Sequence, residues 1–255
     1  MIVKELSASN KKLITSLNIK KYRLSHKLFV VEGEKMCKEL IDSKFSPTML
    51  VIEKSKINYY ENLLEKYSLK NSSIFYTSEQ IFEKISDAVT PQGILAVVKY
   101  PENNFDLNDN FIALDNIADP GNLGTIIRTS EWFGFKNIIL GNNCADLFNP
   151  KTLRATMGSI FRLNFIEVNN LENYIIENFG DFDKYGATLD GDYDLNEIIP
   201  DKKFGLFFGN ESSGLSDSVK NTLTKRFIIK GKGQSESLNV SVATGISMFY
   251  FSKFV

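Results

Sequence analysis

The sequence predicts an α/β protein built in two blocks, and three observations predict it. Helical and strand periodicities alternate along the 255 residues. The strand candidates after Phe111 are apolar on both faces, as in a parallel sheet covered by helices. A polar stretch, Pro101 to Asn110, interrupts the alternation and reads as a linker. The expected division is therefore 1–100, 101–110 and 111–255.

In the first block, residues 13–23 read as a helix because Leu13, Ile14 and Leu17 recur at helical spacing. Residues 28–32 (LFVVE) form a strand that turns at Gly33 into a helix. A strand (TMLVIEK), a helix (YYENLLEKYS), a strand (SIFYTS), a helix (EQIFEKIS) and a closing strand (GILAVVKY) follow. In the second block the strand candidates are FIALD, NIILG, FRLNFIEV, YGATL, FGLFFG and RFIIK. Helices are expected over Asn122–Phe133, Lys151–Met157, Leu171–Asn178 and Ser216–Leu223, and a long one from about Leu238 to Phe254.

Composition is that of a globular protein, 43% hydrophobic and 24% charged, with 20 Phe to fill a core. No apolar run is long enough to span a bilayer. The opening MIVKE fits neither a signal nor a transit peptide, so a cytoplasmic protein is expected. Cys37 and Cys144 lie in no metal-ligand spacing and suggest no disulfide framework. His26 is the only histidine, which excludes a His-rich metal site and any HExxH protease; no metal is expected. Net charge is −1, but the first thirty residues carry Lys4, Lys11, Lys12, Lys20, Lys21, Arg23 and Lys27 against Glu5 alone. That basic face is either a solvated helix start or a surface for RNA phosphates.

Three segments carry chemistry. In residues 114–135 a strand ends at Asp115, and Asp119–Asn122 turns into a helix with a Leu123, Ile126, Ile127, Phe133 stripe. Arg128 sits about 140° round the helix from Leu123 and either pairs with Glu131 or is left for a ligand. In residues 207–216 a strand runs straight into Gly209, Asn210 and Glu211, where glycine lets the backbone approach a ligand at a strand's carboxyl end; alternatively Ser212, Ser213 and Ser216 merely cap the next helix. In residues 228–249 a Gly-rich loop leads to a helix whose start presents Ser237, Asn239 and Ser241. It lacks the GK[ST] ending of a phosphate loop, and no GxGxxG is present, so triphosphate or dinucleotide binding is not indicated.

In this order the segments resemble the three motifs of the SpoU (TrmH-like) RNA 2′-O-ribose methyltransferases of the SPOUT superfamily: DPGNLGTIIRTSEWFG, FFGNESSGL, and Ile228 to Ala243 with SLNVSVA. FVVEGEK and TPQGILAVV resemble the L30e-like RNA substrate-binding domain that precedes the catalytic domain in ribosomal-RNA members. The resemblance covers nearly the whole chain. It implies a parallel-sheet fold with a deep C-terminal trefoil knot, a homodimer, and S-adenosyl-L-methionine as cofactor. By the same resemblance Gly209, Asn210, Glu211, Ile229, Gly231, Ser237, Leu238 and Asn239 would hold the cofactor. Arg128, Glu211, Ser237, Asn239 and Asn122 would form the catalytic group.

The resemblance assigns Arg128 the activation of the hydroxyl and leaves its exact role open; because an Arg stays protonated, fixing the adjacent phosphate and stabilising the developing alkoxide is physically easier than acting as a base. Glu211 would hold Arg128 or a group of a partner subunit. Asn122 and Asn239 would shape the site or simply cap helices. Lys11, Lys12, Lys20, Lys21, Arg23 and Lys27 would meet the phosphates of a folded RNA, with ribosomal RNA expected. The chain departs from the family where Ile-Pro-Met commonly opens the third motif, reading Ile229, Lys230, Gly231 instead. The resemblance leaves open a catalytically silent assembly factor, a transfer-RNA enzyme and an antibiotic-resistance methyltransferase.

Overall fold

The computed structural model of the protein describes residues 3–69, 73–102 and 105–255. They form two compact units, one of residues 1–102 with 148–161, the other of 103–147 with 162–255.

The first unit contains β1 (Val3–Glu5), α1 (Ala8–Ser16), α2 (Lys20–His26), β2 (Leu28–Glu32), α3 (Glu34–Ile41), β3 (Pro47–Glu53), α4 (Glu61–Leu69), β4 (Ser73–Thr77), α5 (Glu79–Ile85) and β5 (Ile94–Lys99). The single helix expected over 13–23 is two. The Ser7 side chain caps α1 by accepting from the Asn10 N–H at 3.2 Å, and the chain turns after Leu17. The buried Arg23 on α2 donates through Nη1 to the Leu17 carbonyl at 2.6 Å, which ties the second helix to the end of the first. The sheet order is β1-β4-β3-β5-β2, with β1, β4 and β3 parallel and β5 antiparallel to both β3 and β2. Leu6, Ile14, Leu17, Val51, Phe82 and Val97 meet in its core.

The second unit holds β6 (Phe111–Asp115), α6 (Pro120–Trp132) and β7 (Asn137–Leu140). The chain that follows β7 supplies α7 (Pro150–Thr156), which counts with the first unit: Phe148 stacks on Phe29 at 4.3 Å and Phe161 meets Phe45 edge-on at 5.2 Å. β8 (Asn164–Glu167), α8 (Leu171–Asn178), β9 (Asp183–Ala187), β10 (Tyr193–Asp194), β11 (Phe204–Gly209), α9 (Asp217–Lys220), β12 (Lys225–Ile228) and α10 (Val240–Phe251) complete the second unit. Its seven strands run in the order β10-β12-β9-β11-β6-β7-β8, every neighbouring pair parallel. Strands β6, β7 and β11 are buried throughout, which is why their sequences are continuous apolar runs.

Several expectations shrink. Phe161 and Arg162 lie in a short 3-10 turn rather than a strand, and the helix expected over 216–223 is one turn long. Phe135, three residues past α6, is buried. Gly205 sits inside β11 because a Cβ there would stand 2.3 Å from the Phe111 ring. α10 packs on α6. Its buried Thr244 and Ser247 return their hydroxyls to the Val240 and Ala243 carbonyls of the same helix, at 2.7 and 2.9 Å, so an apolar helix carries polar residues without unpaired groups.

Candidate active site

Strands β6 and β11 are neighbours whose onward connections leave in opposite directions, toward β7 and toward β12. In open parallel sheets ligands bind outside the carboxyl ends at such a point. The loops after β6 and β11 are stitched together there. The Asp115 carboxylate accepts from the Ser216 N–H at 2.7 Å, and Asn210 donates through Nδ2 to the Asn116 carbonyl at 3.0 Å. Asn210 and Gly214 exchange backbone hydrogen bonds of 3.1 and 2.8 Å, closing the loop into a tight turn. A Cβ on Gly209 would lie 2.2 Å from the Gly214 carbon and the Leu215 nitrogen, so the crossing requires glycine.

On this frame the three sequence motifs meet side chain to side chain. Asn122, in the first turn of α6, donates through Nδ2 to Glu211 Oε1. Asn239 donates through Nδ2 to Asn122 Oδ1 at 3.1 Å. Asn239 is also the N-cap of α10, its Oδ1 accepting from the Ser241 N–H at 2.9 Å and the Ser241 hydroxyl at 2.6 Å. The last contact fixes the polarity of the whole relay. A backbone N–H can only donate, so Asn239 must turn its oxygen to α10 and its amide N–H₂ to Asn122. Asn122 must then turn its own N–H₂ to Glu211. The helix start thereby dictates that Glu211 is held as an acceptor.

Other expected residues fall into place less uniformly. Asn122 does not cap α6; Asp119 does, accepting from the Asn122 N–H at 2.9 Å. The signal was the DPGN run itself, with a side-chain acceptor before Pro at a helix start. Arg128 lies six residues beyond Asn122, about 9 Å along the helix axis. It is exposed and makes no hydrogen bond or ion pair among the described residues. It does not pair with Glu131, which is taken by Arg162 Nε at 2.8 Å. Glu211 is held by Asn122, not by Arg128. Ser237 stands on an exposed loop and makes no hydrogen bond among the described residues, so it is not drawn into the relay.

Residues 230–239 are all exposed, and a Cβ on Gly231 or Gly233 would meet nothing within 4 Å. Lys230, where the family commonly has Pro, is tethered to Asp194 at 3.3 Å. The Asn196 backbone N–H, and then the Lys230 ammonium, hold the Asp194 carboxyl below its ordinary range. Arg226, the second residue of β12, is gripped by Asp190 and Asp192 at 3.1 and 3.0 Å. This acidic strip was not read from the sequence, because its partners lie more than thirty residues apart. Burial pushes both thiols up, Cys144 to about 11, so neither is a thiolate nucleophile at neutral pH. No group of three or more potential metal-ligating side chains occurs among the described residues.

In the first unit, Lys12, Lys20, Lys21 and Lys27 are exposed and Lys11 is half-buried; none forms an ion pair among the described residues. Arg23, at 2% exposure, is a correction to the expected phosphate-binding set: it is buried, and its Nη1 donates to the Leu17 carbonyl at the α1–α2 junction.

Comparison with known proteins agrees with the geometry. Residues 109–249 match the SpoU rRNA Methylase family, and residues 10–96 match the MRM3-like substrate binding domain. The chain is 33% identical over 249 residues to the 23S rRNA (guanosine(2553)-2′-O)-methyltransferase RlmP of Bacillus subtilis (strain 168), covering 96% of this chain and 97% of that protein. The AdoMet-bound structure of an rRNA methyltransferase from Sinorhizobium meliloti superposes with a TM-score of 0.87 at 29% identity, covering 99% of this chain and 98% of that one. A Porphyromonas gingivalis structure, described provisionally as an RNA methyltransferase of the TrmH family, gives 0.87 at 33% identity over 98% of this chain and 99% of that one. With its three motifs joined at one strand switch and a relative matched end to end, the chain belongs to the SpoU rRNA methylase family.

Proposed function

We propose that the protein transfers the methyl group of S-adenosylmethionine to a ribose 2′-hydroxyl of structured ribosomal RNA. The observation that carries this reading is the Glu211–Asn122–Asn239 relay, which joins one residue from each motif. The cofactor loops fit their ligand. Residues 230–239 offer an open glycine-bearing backbone beside Leu238, an apolar side chain left 46% exposed, suited to an adenine face. When bound, S-adenosylmethionine supplies a methyl group already activated by the positive sulfonium.

The chain's own residues must do the rest: orient the hydroxyl, hold the charge that grows on it, and take its proton. Arg128 stays protonated and has its guanidinium free to grip the neighbouring phosphate and stabilise the developing alkoxide. Of the five side chains assigned to the site, Glu211 is the one able to accept a proton, and the relay presents it as an acceptor. The substitution Asn122→Asp would still accept from Asn239 but would set a carboxylate against Glu211 in place of the amide donor. It is expected to lower turnover at least tenfold with little change in melting temperature, since a like-charge pair disfavours the ionised acceptor. Wild-type turnover in that variant would remove the relay from the mechanism.

The same reading assigns residues 1–100 to RNA binding and 111–255 to methyl transfer. Lys12, Lys20, Lys21 and Lys27, with Lys11 beside them, form the phosphate-binding face. Charge reversal of Lys20 and Lys21 to Glu is expected to weaken RNA binding by one to two orders of magnitude. It should flatten the dependence of log K on log salt by about 2, roughly one unit for each lost phosphate contact. Affinity for S-adenosylmethionine should not change; unaltered RNA affinity would refute the face.

A homodimer is part of this proposal. Trp132 on α6 is 80% exposed and Phe249 on α10 is 61% exposed, and Val242 and Ile246 extend the stripe at helical spacing. Analytical ultracentrifugation should give twice the chain mass for wild type and the chain mass for Phe249→Asp. A dimer that survives the substitution would place the interface elsewhere. The reading also carries a trefoil knot formed by the loops around β11 and β12, and a cytoplasmic site of action, where ribosomal RNA is. No helix among the described residues is long and apolar enough to cross a membrane.

The direct test is titration of S-adenosylmethionine followed by transfer of its labelled methyl group to RNA from cells lacking the protein. Binding without transfer to any RNA, including ribosomal intermediates, would favour the silent assembly factor.

A further inference from the structure

On the far side of the loop that carries Glu211 lies an open crevice of about 530 Å³. Its walls are the loops that leave β6, β7 and β8 and the turn from Ser213 to Lys220. Asn116, Asn142, Asn143 and Asn169 line it, and the side-chain amides of all four make no hydrogen bond among the described residues. Two of them, Asn116 and Asn143, stand in the left-handed region at φ 61° and 59°, a conformation that costs energy in a non-glycine residue and recurs at ligand sites. Asp115 also lines the crevice. Its Oδ2 accepts from the Ser216 N–H, and its Oδ1 has no partner among the described residues.

The charge of this crevice argues against phosphate. Asp115, Glu172 and Asp217 oppose a single cation, Lys220, which is itself drawn to Asp217 at 3.3 Å. What remains is a concave surface of unpaired amides, each with a donor and an acceptor, biased by carboxylate oxygens toward accepting. That is the complement of a nucleobase edge bearing an amino group. Uracil, which has no exocyclic amine, fits it least. Residues 213–216 of its wall belong to the loop that also carries Glu211.

We propose that this crevice receives a nucleobase turned out of the RNA stack, with guanine, adenine or cytosine accepted over uracil, and that it positions the substrate for the reaction. The inference rests on the methyltransferase reading and deepens it, because a base held in a fixed pocket selects and orients the ribose attached to it.

The test uses the full chain saturated with S-adenosylhomocysteine, so that no nucleoside enters the cofactor loops. Saturation-transfer NMR is recorded with guanosine, adenosine, cytidine and uridine. Transfer to the base protons of the first three, at least fivefold stronger than to those of uridine, is expected for wild type. It should be lost in Asn142→Ala/Asn169→Ala, whose side chains have no partner to lose, while affinity for S-adenosylmethionine is kept. In RNA methylation the same double variant should raise KM about tenfold, as for one lost base contact, and leave kcat within twofold. Absence of nucleoside binding, or binding indifferent to the two substitutions, would overturn the crevice while leaving wild-type methyl transfer, and so the function, intact. A wild type that transfers no methyl group would overturn both.

Discussion

Arg128→Ala is expected to reduce methyl transfer to RNA by about 10²–10³-fold in kcat, with affinity for S-adenosylmethionine unchanged and folding undisturbed. The magnitude is that of removing one preorganised donor from a developing oxyanion, about 2.7–4 kcal/mol. The structure supplies the reason for both halves of the expectation. Arg128 is exposed on α6 and no acid holds it, because Glu131 has turned to Arg162 and Glu211 is bound to Asn122. Its removal therefore breaks no contact that supports the fold. Arg128→Lys would keep the charge but lose the planar fork that grips phosphate and alkoxide together, and should recover only a small part of the activity. Stopped-flow or single-turnover methylation at saturating RNA separates this from a binding defect. A variant whose KM alone rises would confine Arg128 to phosphate binding.

The largest effect on stability is expected at Phe251. It is fully buried at the end of α10 and stacks on Tyr185 with ring centroids 5.4 Å apart; Phe204 and Phe227 lie at 5.3 and 5.8 Å. These rings come from β9, β11 and β12, so one side chain fastens the last helix to three strands of the sheet. Truncation to Ala removes the buried ring and leaves a cavity that the surrounding aromatic rings cannot fill, at about 3–5 kcal/mol. That is a large share of the stability of an ordinary domain. Since α10 begins at Asn239, whose side chain orients Asn122, loosening the helix should also weaken the site. Chemical denaturation followed by far-ultraviolet circular dichroism would read the loss. A midpoint within error of wild type would show that α10 is anchored by other contacts.

How much of this was legible in the sequence depends on the range of the interaction concerned. Strands β6, β7 and β11 were legible because burial on both faces leaves an unbroken apolar run, and α6 because its stripe recurs at helical spacing. The split between α1 and α2 was not, because the cause is a buried Arg23 reaching back six residues to a carbonyl. The same contact removed Arg23 from the basic face, where charge alone had placed it. Strands β1 and β10, of three and two residues, are defined by their partners rather than by their own pattern. The motifs named Asn122, Glu211 and Asn239. That their side chains bond in series, with a direction fixed by the cap of α10, is a property of three segments 89 and 117 residues apart from Asn122, and no local pattern carries it. The Asn-lined crevice was missed for a similar reason. Its amides come singly or in pairs from three loops that only the sheet brings together.

The central claim is tested most directly by locating the methyl group. RNA from cells lacking the protein would be incubated with wild type or Arg128→Ala and labelled S-adenosylmethionine, and the modified nucleotide mapped by alkaline-resistance sequencing and mass spectrometry. The account predicts a single 2′-O-methylated ribose in ribosomal RNA, formed by wild type and absent with the variant. Methylation on a base, or equal methylation by both proteins, would contradict it.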